Sequence, residues 1–86
     1  MPTISRFYGI EIRMYYHEHH APHVHAIYGE HKALIGIRDE RVIAGRLPGR
    51  ARRLVSEWVR AHRAELMQNW ERARNGQDIL TIEPLE

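Results

Sequence analysis

GRLPGRARR, residues 45–53, is the stretch at which the sequence changes its period. Before it, apolar residues recur at every second position; after it, at every third or fourth. Gly45 ends a strand, and Pro48 can occupy the first turn of a helix, where its missing N–H would be unpaired in any case. Downstream, Ala51, Leu54, Val55, Trp58, His62, Leu66, Trp70 and Ala73 form one stripe, and no glycine or proline interrupts them until Gly76. The spacing predicts one long amphipathic helix, Pro48 to Asn75. At about 1.5 Å per residue it would reach about 40 Å, long for so small a fold, so a bend near Arg63 or a homodimeric partner is expected to accommodate it. Trp58 and Trp70, little more than three turns apart, read as core anchors, and His62 on the same stripe as a satisfied buried or boundary histidine rather than a ligand.

Upstream of the switch the text alternates. Tyr8, Ile10, Ile12, Met14 and Tyr16 fall on one side of an extended segment, which reads as a half-buried strand from Tyr8 to Tyr16. After a loop containing Ala21 and Pro22, a second strand is expected at His23 to Tyr28, with Val24, Ala26 and Tyr28 opposite His23, His25 and Ile27. Gly29-Glu30 supplies a tight turn, a third strand runs from about Lys32 to Ile37, and a fourth from Arg41 to Ala44. Beyond Gly76, DILTIEPL alternates again and reads as a final strand. The fold expected is a single small α+β domain over residues 1–86, an antiparallel β-meander packed against one long helix with a carboxy-terminal strand.

Composition narrows the function classes. The sequence has 86 residues, 43% of them hydrophobic and 28% charged, which excludes a disordered chain and fits an ordinary globular one. No eighteen apolar residues run together and the amino terminus lacks a signal-peptide pattern, so no membrane role and a cytoplasmic location are expected. The absence of cysteine excludes disulfides and thiolate metal sites. The formal net charge is +2, yet between Arg38 and Arg53 six arginines face only Asp39 and Glu40. Arginine's planar fork suits phosphate, so this block is a candidate phosphate grip.

The most chemically loaded stretch is YHEHHAPHVHAIYGE, residues 16–30, with His17, His19, His20, His23 and His25. In an extended strand His23 and His25 point to one face about 7 Å apart and can converge on one ion, joined by His19 or Glu18 from the loop. The same imidazoles can instead move protons, since free imidazole titrates at about 6.5. RNA cleavage without a metal needs a base, an acid and a cation, for which His23, His25 and either Arg46 or Arg50 are candidates, with Tyr16 or Tyr28 stacking on a base. Arg52, Ser56, Arg60 and Arg63 form a further polar stripe that suits nucleic acid or an acidic partner.

Three motifs carry a resemblance that spans nearly the whole chain: S-x-F-Y-G-I-x-I from Ser5, E-H-x-x-P-H-x-H from Glu18, and L-P-x-R-A-x-R-L-V-x-E-W from Leu47. With them the sequence resembles a small bacterial domain-of-unknown-function family, the one numbered forty-one-sixty. Members look like partners in two-gene cassettes of the toxin-antitoxin type, which implies a cytoplasmic toxin-like component. The resemblance points at Glu18, His19, Pro22, His23 and His25; where family loops carry two prolines this chain has Ala21-Pro22, and His17 and His20 look peculiar to it. The function expected is therefore a candidate metal-independent endoribonuclease, with Glu18, His23 and His25 catalytic, Arg46, Arg50, Arg53 and Tyr28 binding nucleic acid, and no cofactor required. RNA and a small cognate antitoxin-like protein are the partners expected. The alternatives are a non-enzymatic module in which His19, His23 and His25 hold zinc or nickel, and a protein-interaction module that uses the arginine stripe.

Overall fold

The computed structural model describes residues 2–86. Five strands form one antiparallel meander in chain order: β1 (Thr3–Phe7), β2 (Ile10–Arg13), β3 (His23–Tyr28), β4 (His31–Gly36) and β5 (Val42–Gly45). Two helices follow, α1 (Gly49–Ala61) and α2 (Arg63–Arg74). The α+β class and the meander agree with the sequence; three details differ.

First, Tyr8 to Tyr16 is not one strand. Tyr8 and Gly9 form the turn of a hairpin whose flanking residues Phe7 and Ile10 are paired, and both turn residues have positive φ, 49° and 80°. That is the backbone of a type I′ turn, whose twist matches the strands it joins. It is hard to foresee because tyrosine rarely enters the left-handed region. The predicted alternation survives inside β2, where Ile10 and Ile12 are buried, and continues to buried Met14. In β1 the register slips between Thr3 and Ser5, a bulge that lets Ile4 and Phe7 both reach the core despite their odd spacing.

Second, the long helix is broken. His62 has φ −119° and ψ 25°, outside the helical region, and its N–H is shared between the carbonyls of Trp58 and Val59. The molecule's longest dimension is 33 Å, so an uninterrupted helix of about 40 Å would overhang the sheet it must cover. Long-range contacts hold the break. Arg63 Nε donates to the Ile37 carbonyl at 2.9 Å, and the Glu40 carboxylate in the β4–β5 loop pairs with both Arg60 of α1 and Arg63 of α2. The bend expected near Arg63 therefore falls one residue earlier, as a full break. α2 ends in a Schellman arrangement: Gly76 has φ 70°, and Gln77 N–H donates back to the Arg72 carbonyl at 2.8 Å.

Third, DILTIEPL is not a strand. Only Ile82 N–H bonds to β1, at the Ile4 carbonyl (2.8 Å). Side chains of the helices do the rest. Buried Asn69 donates to the Leu80 carbonyl (2.7 Å) and accepts from Leu80 N–H (3.0 Å), while Trp58 Nε1 donates to the Glu83 carbonyl (2.8 Å). A tail tied by side chains satisfies its backbone without a ladder.

The core lies between the sheet and the helices: Ile12, Val24, Ala26, Ala33 and Ile35 of the strands meet Ala51, Val55, Trp58 and Val59 of α1 and Leu66, Trp70 and Ala73 of α2. Trp58 and Trp70 are both buried, and the Phe7 ring lies 5.4 Å from that of Trp58. His62 is a boundary residue, its Nδ1 2.7 Å from Glu65. Among the described residues no helix is long and apolar enough to cross a membrane.

Candidate functional site

The loop between β2 and β3 carries the chemistry to the start of β3. His17 takes a left-handed φ of 60°, which turns the chain back, and its N–H reaches the Ala73 carbonyl of α2 at 3.4 Å. The return brings Glu18 over the first residues of β3. Its Oε1 lies 2.8 Å from His25 Nε2 and 3.2 Å from His23 Nε2. Ligand atoms of Glu18, His23 and His25 all lie within 4.8 Å of one another. The two imidazoles are 5.2 Å apart, closer than two extended positions set them, because side-chain rotation tips the rings together.

The three residues differ in exposure. His23 is fully buried and packs against the Trp70 ring, 5.1 Å away. Glu18 and His25 each keep about a quarter of their side chain open to solvent. His23 Nδ1 lies 2.8 Å from the Ala21 carbonyl. A carbonyl only accepts, so Nδ1 carries the proton and Nε2 presents a lone pair in the neutral ring. That buried Nε2 makes no hydrogen bond.

Beside the trio runs a cleft of about 290 Å³, walled by Glu18, His19, His20 and Pro22 on one side and by Trp70 and Glu71 on the other. Arg38 and Arg74 stand at it as well, Arg74 3.3 Å from Glu71. Arg38 belongs to the basic block that the sequence offers as a phosphate grip, whereas Arg74 carries no sequence signal beyond its charge. Arg13, which pairs with His25 across the sheet, is committed elsewhere: its Nε donates to Glu11 at 2.7 Å. That hydrogen bond from Arg13, joined by the Thr3 hydroxyl, lowers the Glu11 carboxyl to about 2, and the carboxylate in turn raises the Arg13 guanidinium above its ordinary range.

The other expected residues are not gathered here. Arg46 N–H donates to the Lys32 carbonyl, and Lys32 pairs with Ile27, four positions from His23 and so about 13 Å along the strand. Arg50 and Arg53 are exposed on the opening turns of α1 and do not line the cleft. Tyr28 packs against the β1–β2 turn, its ring within 3.4 Å of the Cβ position of Gly9. His19 is exposed at the cleft wall, so Glu18 rather than His19 completes the trio with His23 and His25.

Residues 9–71 match the family described as Domain of unknown function (DUF4160). The chain belongs to the DUF4160 family. The matched span encloses the β2–β3 loop, all three members of the trio and Arg38, and ends at Glu71 before Arg74. No curated protein and no solved structure matches the chain.

Proposed function

We propose that this DUF4160 chain is the toxin-like component of a two-gene module and cuts RNA at the cleft between the histidine loop and α2. What supports the reading is the juxtaposition of a carboxylate and two imidazoles within 4.8 Å with a cleft that carries two guanidinium groups. Attack of a 2′-hydroxyl on its neighbouring phosphodiester requires proton removal, protonation of the leaving oxygen, and positive charge at the phosphorane. Arg38 and Arg74 can neutralise the phosphate, and His19 and His20, exposed on the wall, can move protons.

His23 is sealed from solvent and cannot touch RNA, so it is a positioning residue; of the trio it is Glu18 that lines the cleft and faces the reaction, and His25 holds the Glu18 carboxylate at 2.8 Å. Arg46, Arg50, Arg53 and Tyr28 lie away from the cleft and in this reading hold flanking nucleotides. A small antitoxin-like protein that covers the cleft silences the activity in the cytoplasm.

The test is cleavage of a single-stranded RNA oligonucleotide by the purified chain, with and without added divalent metal. Cleavage is expected, falling on the order of a hundredfold in the Arg38→Ala/Arg74→Ala double variant and in Glu18→Gln, with exposed His31→Ala unchanged. Intact RNA under both conditions, from protein that is folded by circular dichroism, refutes the reading.

A further inference from the structure

We infer that Glu18, His23 and His25 form a binding site for one divalent transition-metal ion, zinc or nickel foremost. The inference goes beyond the RNA reading and stands without it. Its first support is the donor set. Two imidazole nitrogens and a carboxylate oxygen suit borderline ions, and three protein ligands leave a coordination position open.

Geometry is the second support. Ligand atoms about 2.1 Å from a tetrahedral ion lie about 3.4 Å from one another. His23 Nε2 and Glu18 Oε1 are already 3.2 Å apart, and the Glu18–His25 separation of 2.8 Å opens to the ion's spacing with a small side-chain rotation. The third, independent support is the buried Nε2 of His23. With Nδ1–H held by the Ala21 carbonyl, the ring presents a lone pair, and the Glu18 carboxylate oxygen 3.2 Å from it also presents lone pairs. Two lone-pair-bearing atoms 3.2 Å apart, the nitrogen buried, repel unless a proton or a metal cation lies between them. A metal ion satisfies His23, His25 and Glu18 together, and the Ala21 carbonyl fixes the His23 ring in the tautomer a ligand needs.

When bound, such an ion supplies Lewis-acid charge and lowers the pKa of its water to about 7. Around it this chain provides an opening through the solvent-facing sides of Glu18 and His25, and Trp70 shields the His23 ring.

The experiment is metal titration of chelator-stripped protein with zinc, nickel or iron(II), followed by isothermal calorimetry and native mass spectrometry. One ion per chain is expected. His25→Ala and Glu18→Gln, both altered at partly exposed side chains, should lose at least about a hundredfold in affinity while keeping the unliganded fold by circular dichroism, beyond what loss of an outer partner costs. His31→Ala, at an exposed strand position, should bind as the parent does. No one-to-one binding of any of the three ions overturns the assignment. So does affinity that persists in His25→Ala and Glu18→Gln but vanishes in the His19→Ala/His20→Ala double variant, which would mark adventitious capture by the loop. A metal bound tightly by a chain that leaves RNA intact sinks the RNA reading and leaves the site standing.

Discussion

Asn69→Ala tests how the carboxy-terminal tail is held. The side chain is 1% exposed and closes both backbone groups of Leu80, donating at 2.7 Å and accepting at 3.0 Å. Each such bond contributes about 1 kcal/mol net. Leu80 is itself 52% exposed, so water can replace part of what its backbone loses and the upper range of cost does not apply. The expected loss is therefore about 2 kcal/mol. For a domain of this size that lowers Tm by about 8–16 °C, at about 4–8 °C per kcal/mol. Asn69→Leu should cost a similar amount, because it restores volume without restoring the hydrogen bonds. Thermal melts followed by circular dichroism give the magnitude, and amide hydrogen exchange gives the location: protection should fall at Leu80 and at Ile82, whose N–H reaches the Ile4 carbonyl. If both variants melt within about 0.5 kcal/mol of the parent and these amides stay protected, the side-chain clamp is not what holds the tail.

Two further outcomes are expected. Gly45→Ala should cost about 3 kcal/mol or more in urea unfolding, because Gly45 has φ 75° and an added Cβ would collide with the Lys32 carbonyl oxygen; an unchanged midpoint would contradict the close approach of β4 and β5. Glu11 is held at about 2 by Arg13 and Thr3, below its ordinary 4.5, so its contribution is present above about 4.5 and is lost as pH falls toward 2. Glu11→Gln should therefore flatten the dependence of stability on pH between those values, and an unaltered acid limb would refute the pairing.

Local sequence determined much of this molecule. His23–Tyr28 is a strand as expected, and β4 and β5 lie within a residue of their expected bounds, because alternation and turn residues act over a few positions. Pro48 marks the helix start, standing just before Gly49, and Gly76 its end, since proline's fixed φ and glycine's left-handed freedom are properties of the residues themselves. The buried tryptophans follow from helical spacing alone. The convergence of His23 and His25 was likewise legible in their same-face spacing.

What only the tertiary structure decided involves partners distant in sequence. The break at His62 has no proline or glycine to announce it; Ile37 and Glu40 fix it from another hairpin. The tail alternates like a strand but is tied by Asn69 and Trp58, so its pattern reports burial rather than pairing. Glu18 rather than His19 joins the two imidazoles because the loop reverses at His17 and leans on α2, and the arginines at the cleft are Arg38, carried there where Ile37 N–H bonds the Pro22 carbonyl, and Arg74, at the end of the α2 helix the loop touches. Periodicity is written within a few residues of chain, whereas the meeting of side chains far apart in sequence depends on how every intervening element packs.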